Sequence, residues 1–367
     1  MQVMRRGRSG EILNMSSLKE TSILRENPLA DDLNHILVHA EDLWEEFRSK
    51  RIFVTGGTGF FGIWILETLA WANAKLNLNI DVVVLTRNIN KIKSKAPHIV
   101  NSKLFSFIEG DVKKYNYPKK KFNYIIHLAA DFHLENNNLN RLLIFNTIVE
   151  GTRNVLDFSV QCEADKILFI SSGAVYGKQP HSMSHIPEDY MGAPDLTLPE
   201  SAYSEGKRSA EMLCVLYSGA YNLSINIARC FSFVGPYLQL DENFAIGNFV
   251  SSVIKNQKIM ISGDGSPVRS YMYASDLVIW LLTILIRGKN CFPYNVGSEE
   301  EITIEALARR IADCSKNSLT VEIKTKKSDY YGTDRYVPST QRAQKELGLK
   351  QLIGLDDGIS KTIEFNS

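Results

Sequence analysis

Between residues 51 and 72 the chain runs from a short β-branched segment, Ile52-Phe53-Val54-Thr55, through Gly56-Gly57-Thr58-Gly59 into Phe60-Phe61-Gly62 and an apolar stretch over 63–72. No other feature restricts the fold as much. A strand that ends in glycines and reopens as an apolar helix must turn within a few residues. Side chains at those glycines would keep the backbone from closing the turn and from approaching a pyrophosphate set at the helix N-terminus. Glycine spacing alone is a weak signal. The preceding strand and the following helix supply the context the motif requires.

Beyond this unit, short apolar runs at 81–85, 104–109, 124–129 and 166–170 read as buried strands, and 142–158 and 203–217 as helices. Strands that alternate with helices predict an α/β fold, a Rossmann-type doubly wound parallel sheet with helices on both faces. After about Phe233 the alternation loosens. The predicted division is an N-terminal helical extension over 1–50, a dinucleotide-binding domain over 51–235 that includes the reactive residues, and a stretch over 236–367 that is mainly a smaller substrate-binding domain. Within the extension, Leu33, Ile36, Leu37, Leu43, Trp44 and Phe47 recur at helical spacing, so 29–47 is expected as one amphipathic helix. Residues 1–10 are basic but lack the apolar core of a secretory signal.

Composition removes several classes of function. Forty-two basic residues against forty-one acidic ones leave a net charge of +1, which offers nothing to nucleic acid or to an anionic membrane. No apolar run approaches the roughly 20 residues of a membrane-spanning helix. Cys162, Cys214, Cys230, Cys291 and Cys314 are odd in number, widely spaced and without a C-x-x-C pair. The expectation is free thiols, no metal site and a cytoplasmic protein.

Three further places carry chemistry. At the end of the second strand, where an acid would hold the adenosine ribose and favour NAD, the chain reads Leu85-Thr86-Arg87-Asn88. Arg87 suits a 2′-phosphate or plain solvation, so NAD and NADP both stay open. Tyr203 and Lys207 lie four residues apart on one helix face, where an ammonium favours the phenolate and lowers the tyrosine pKa. The segment Phe169-Ile170-Ser171-Ser172-Gly173 closes a strand with serines at its C-terminal end, where open α/β sheets bind ligands.

In this order the motifs resemble those of an extended short-chain dehydrogenase/reductase of the nucleotide-sugar epimerase/dehydratase group, over about residues 51–349. Thr55-Gly56-x-x-Gly59-x-x-Gly62 is similar to that group's phosphate loop, with Phe60 and Phe61 opening the helix. Gly110-Asp111-Val112 resembles its adenine-side segment, Ile126-His127-Leu128-Ala129-Ala130 the strand beside the cofactor, and Asn146 the helix that follows. The resemblance implies Ser172, Tyr203 and Lys207 as the catalytic trio, which also makes Tyr203 and Lys207 cofactor contacts. It further implies a nucleotide-diphosphate sugar substrate met by His133, Ser172, Gly173, Asn248, Arg269 and Arg335. A homodimer built from two helices per subunit is implied as well, with Met212, Leu213, Val215 and Leu216 suited to the contact.

One departure bears on the reaction. Many 4,6-dehydratases of this group carry acids after the catalytic Ser/Thr, whereas Gly173 and Ala174 stand here and transfer no proton. The implied reaction is therefore a C4 oxidation followed by 4-epimerisation. The alternatives are a 4,6-dehydratase, an NADPH-consuming 4-ketoreductase and, outside enzymes, a dinucleotide sensor.

Overall fold

The computed structural model describes residues 27–129, 138–240, 244–315, 319–325 and 334–367. The first six strands are β1 (Arg51–Thr55), β2 (Asp81–Thr86), β3 (Phe105–Glu109), β4 (Tyr124–His127), β5 (Lys166–Ser172) and β6 (Ile225–Cys230). Eight more follow: β7 (Phe233–Val234), β8 (Ile259–Ile261), β9 (Val268–Arg269), β10 (Met272–Tyr273), β11 (Pro293–Val296), β12 (Ile302–Thr303), β13 (Val321–Ile323) and β14 (Arg335–Tyr336). The main sheet has seven strands in the order β11-β6-β5-β4-β1-β2-β3, and every pair in it is parallel. Strand order reverses beside β1. That switch point is where sheets of this type bind ligands at the carboxyl ends of their strands.

The sheet is buried on both faces because its strands are apolar at successive positions. In β1, Ile52 and Val54 enter the core cluster on one face and Phe53 the cluster on the other. The same period of two divides β2, with Val82 and Val84 opposite Val83 and Leu85. The first layer of helices is α1 (Ala30–His39), α2 (Phe60–Leu76) and, later in the chain, Ala274–Arg287. On the opposite face, after the short α3 (Asn90–Lys95), lie α4 (Asn138–Gln161) and α5 (Ala202–Tyr221). Later in the chain come α6 (Ala245–Ile254), α7 (Ala274–Arg287, the helix of the first layer), α8 (Ile304–Asp313) and α9 (Leu355–Asn366), and two short helices, Pro97–Asn101 and Gln341–Leu347, are also present.

Two expectations need correction. The helix foreseen over 29–47 is interrupted. α1 stops at His39, and a 3-10 turn, Glu41–Leu43, leads into a separate turn of helix, Trp44–Phe47. The break lets the Trp44 indole donate to the Leu37 carbonyl at 2.9 Å and puts Leu33, Ile36, Leu43 and Phe47 into the core together. One straight helix could not bring both halves of that stripe to the same curved surface. The second correction concerns the stretch after 235. It is not wholly a separate lobe: all of α7 except Arg287 is buried, and β11 adds to the main sheet beside β6. The smaller part consists of the sheet β12-β9-β14, the pair β13-β8, and helices α6, α8 and α9.

Candidate active site

The turn after β1 is built as the glycines require. Gly56 has φ +72°, and a Cβ there would lie 2.8 Å from the Ala129 nitrogen. At Gly62 a Cβ would meet the Gly56 oxygen at 2.4 Å. Gly59, which starts α2 in extended backbone, has only the Gly56 oxygen nearby at 3.5 Å. Its missing side chain therefore clears open space rather than its own chain. Phe60 and Phe61 open the first turn of α2, where backbone N–H groups have no partner within the helix.

A cavity of about 380 Å³ opens there, within the size range of small-ligand sites. Thr55, Gly56, Thr58 and Gly59 line one end, and Leu85, Arg87, Gly110, Asp111 and Val112 the other, with Leu128, Ala129, Thr147 and Gln239 beside them. Of the residues foreseen for the cofactor, Gly56, Gly59, Arg87, Asp111, Val112, Leu128 and Ala129 line this one space, whereas Phe60, Phe61, Gly62, Tyr203 and Lys207 do not. Asn146 lies half-buried on α4, next to Thr147 of the lining. Ala130 and His133 fall outside the described residues. Asp111 Oδ1 accepts from the Lys113 N–H at 2.8 Å, and Val112 packs where a Cβ on Gly151 would stand, 2.7 Å from its Cγ1. His127 joins the strand tips: its Nδ1 is 2.7 Å from Thr55 Oγ1 and its Nε2 3.0 Å from Thr152 Oγ1. Burial pushes the imidazole down to about 3. It is therefore a neutral hydrogen-bonding pin, not a proton carrier.

Ser172, Tyr203 and Lys207, the three residues foreseen as catalytic, come together near the C-terminal ends of β5 and β6. Ser172 ends β5, is 7% exposed, and accepts from the Ala174 N–H at 3.2 Å. Tyr203 and Lys207 come from the first two turns of α5, which packs on β5. Lys207 is buried, donates to the Ile170 carbonyl at 2.7 Å, and sits 5.1 Å from the centre of the Phe169 ring. Burial lowers its pKa to about 8. Tyr203 departs from expectation, because burial pushes its phenol up to about 12, with only its hydrogen bond to Ser172 pulling it down. The lysine was expected to lower that value. Loss of water outweighs it here, and the ammonium is turned toward a backbone carbonyl instead.

A second phenol reaches the serine from the other side. Tyr336 Oη is 3.4 Å from Ser172 Oγ and 3.4 Å from the Cys230 carbonyl, and burial raises its pKa too. Its ring lies 4.6 Å from that of Phe231, and Phe231 fills the place beside Gly173, where a Cβ would come 2.6 Å from its Cζ. Phe231, with Tyr336 packed on it, thus occupies the space next to Ser172 that an acidic side chain at 173 would need. Sequence reasoning missed Tyr336, which stands in an aperiodic segment far from the trio.

The residues expected at the substrate end are spread more widely. Arg269 on β9 pairs with Asp334 at 2.6 Å, and Arg335 on β14 with Glu301 at 2.7 Å. Both lie on the same small sheet as Tyr336. Asn248 is exposed on α6. Of the four residues expected at a subunit contact, Met212, Val215 and Leu216 are 57%, 46% and 58% exposed, whereas Leu213 is 8% exposed and faces the core. Neighbouring α4 adds exposed Leu139, Leu142 and Leu143 near its N-terminus. No described helix is long and apolar enough to cross a membrane.

Comparison with known proteins agrees with this architecture. The model of the NAD dependent epimerase/dehydratase family matches residues 52–297. UDP-glucuronic acid decarboxylase 1 of Danio rerio is 28% identical over 319 residues, which is 87% of this chain and 73% of that protein. Among solved structures, an epimerase from Methanothermobacter thermautotrophicus superposes with a TM-score of 0.76 at 23% identity, covering 90% of this chain and 95% of that one. The UDP-glucuronic acid 4-epimerase of Bacillus cereus, in complex with UDP-glucuronic acid and NAD, gives 0.72 at 23% identity, over 86% and 98%.

Proposed function

Because the chain belongs to the NAD-dependent epimerase/dehydratase family, we propose that it is an enzyme that oxidises C4 of a nucleotide-diphosphate sugar and works through the 4-keto intermediate. The observation that supports the reading is that Ser172, at the end of β5, meets Tyr203 and Lys207 of α5 at the carboxyl edge of the same sheet whose β1 and β2 ends line the cavity beside the glycine turn. When bound, the dinucleotide supplies the hydride acceptor and a cationic ring that favours a nearby phenolate. Tyr203 takes the proton of the 4-hydroxyl as the C4 hydrogen leaves as hydride. Ser172 hydrogen-bonds the same oxygen and holds it in line, while Lys207 steadies the phenolate and the nicotinamide ribose.

The 4-keto sugar then returns to an alcohol, and 4-epimerisation is the fate these residues favour. It needs the trio and room for the sugar to present its other face. Elimination of water needs an acid and a base beyond the trio, and Gly173 and Ala174 supply neither. Phe231 also blocks the space from which an acid at 173 would act. A second reading is decarboxylation of a 4-keto uronic acid, favoured by the similarity to UDP-glucuronic acid decarboxylases. There the electrons of the C5–C6 bond flow toward the C4 carbonyl, carbon dioxide leaves, and a proton returns to C5. No base is needed at C5 and water supplies the returning proton, so the missing acids do not count against it.

Arg269 and Arg335 are assigned to the diphosphate, which would displace Asp334 and Glu301 from the two guanidinium groups. The active form is assigned as a homodimer, joined through the exposed apolar residues of α4 and α5. Sedimentation as a monomer at micromolar concentration would remove that assignment. The test of function is incubation with UDP-glucose, UDP-glucuronic acid and other nucleotide sugars, read by mass spectrometry and NMR. Unchanged mass with inverted C4 supports epimerisation. Loss of carbon dioxide selects the second reading, loss of water elimination. No turnover of any nucleotide sugar would overturn the proposal.

A further inference from the structure

At the carboxyl edge of the main sheet, one layer holds charge where the rest of it is apolar. Residues of β5 alternate between the faces: Ile170 enters one core cluster, and Ile167 and Phe169 enter the other, which α5 covers. By the same period of two, Ser171 shares the second face. On β6, Ile225 and Ile227 go to that face, and Arg229 follows them, opposite Ser171 in the strand register. Glu211 of α5 meets both. Its Oε1 accepts from Ser171 Oγ and from Arg229 Nε, the latter at 3.0 Å, while its Oε2 accepts from Arg229 Nη2 at 2.6 Å. The Glu211 and Arg229 side chains are only 13% and 15% exposed. Arg229 also donates to the Glu188 carbonyl at 3.3 Å, and its guanidinium carbon lies 4.7 Å from the centre of the Tyr176 ring.

An enclosed ion pair seldom adds stability over apolar groups of the same size, because both charges give up water. A bidentate fork adds direction instead. It fixes distance and angle, whereas apolar surfaces attract without orientation. Here the direction is applied beside the trio. Three successive residues at the tip of β5 are each tied to α5 at intervals of four: Ser172 to Tyr203, the Ile170 carbonyl to Lys207, and Ser171 to Glu211. Glu211 thus holds the residue that stands between the lysine's acceptor and the serine. We infer that Glu211 is a positioning residue: gripped by Arg229 and holding Ser171, it fixes α5 against the tips of β5 and β6 so that Tyr203 and Lys207 stand in line with Ser172. The inference rests on the reading of Ser172, Tyr203 and Lys207 as the catalytic groups and adds the residues that align them.

Two variants of the full-length protein provide the test. Ser171→Ala removes one hydroxyl and leaves the ion pair. Glu211→Met with Arg229→Met replaces both charges by unbranched apolar side chains, so no buried charge is left unpaired. Each is measured for kcat and KM on the nucleotide sugar that the wild type converts, for dinucleotide affinity by titration, and for Tm. Crystal structures of both report the contacts of the trio directly. The expected kcat falls about threefold in Ser171→Ala and about tenfold in the double variant, with KM and dinucleotide affinity little changed and Tm no lower in the double variant. In the crystals, Lys207 should leave the Ile170 carbonyl or Tyr203 should draw away from Ser172. Should the double variant not fold, Ser171→Ala decides by the same measures. Wild-type kcat in a folded variant, or a trio that keeps its contacts, would overturn the inference. So would a loss of activity that only parallels a loss of Tm. If the wild type converts no nucleotide sugar, the reading beneath the inference fails, and the crystal geometry alone decides whether Glu211 aligns the three residues.

Discussion

Lys207 is asked to keep a charge where the fold resists one, which makes Lys207→Met an informative perturbation. The ammonium is fully enclosed, and burial lowers its pKa from 10.5 to about 8. At about 1.4 kcal/mol for each pKa unit, holding it charged at neutral pH costs about 3 kcal/mol. Methionine fills a similar volume without charge. It forfeits the hydrogen bond to the Ile170 carbonyl, roughly 1 kcal/mol, so the variant should be more stable than wild type by about 2 kcal/mol at neutral pH. For a chain of this size that is a rise in Tm of roughly 3 °C. Activity should be lost at the same time, a trade of function for stability.

The pH dependence gives the argument its sign. Below the folded value of about 8, lysine is protonated in both states and wild type carries the whole penalty. Between that value and the unfolded one, the folded protein sheds the proton first, so wild type gains stability as pH rises and the variant does not. More than half of the gap should close by about pH 9.5. Tyr203, raised to about 12, does not intrude in that window. Thermal unfolding of both proteins across this range is the assay. A variant less stable than wild type at neutral pH, or a gap that stays constant with pH, would refute the reasoning.

Other substitutions test separate parts of the site. Tyr203→Phe should abolish turnover while dinucleotide binding, followed by titration, is retained; residual turnover near wild type would remove the phenol from its role. Tyr336→Phe keeps the stack on Phe231 but loses the contact with Ser172, so kcat should fall about tenfold, the value of one hydrogen bond, with KM little changed. Gly173→Ala drives a methyl against Phe231 and should destabilise the protein by about 1–3 kcal/mol in urea unfolding, with Phe231→Leu in the same chain recovering part of the loss. Gly56→Ala should abolish dinucleotide binding because of its φ of +72° and the Ala129 backbone behind it. Gly59→Ala, which meets nothing closer than 3.5 Å, should fold normally and weaken binding only by crowding the cavity.

What the sequence determined by itself was local or repeated locally. The apolar run, the glycine turn and the apolar helix of β1 and α2 lie within about two dozen residues, and each of their constraints acts between near neighbours. The same holds for the alternation that announced a parallel sheet, and for Tyr203 and Lys207, whose shared face follows from helical geometry alone. Residues whose place depends on packing were not legible in this way. Leu213 belongs to the same apolar run as Met212, Val215 and Leu216, and only the docking of α5 on the sheet turned it inward. The stripe from Leu33 to Phe47 had helical spacing throughout, yet the curve of the core it covers broke it after His39. β11 joined the main sheet, and α7 packed on its face, from a stretch where alternation had faded, because burying α7 needed that surface. Tyr336 and Ser172 are separated by 164 residues. Periodicity and backbone preference carry no information over that distance, and the two hydroxyls met only when the small sheet closed against the end of β5.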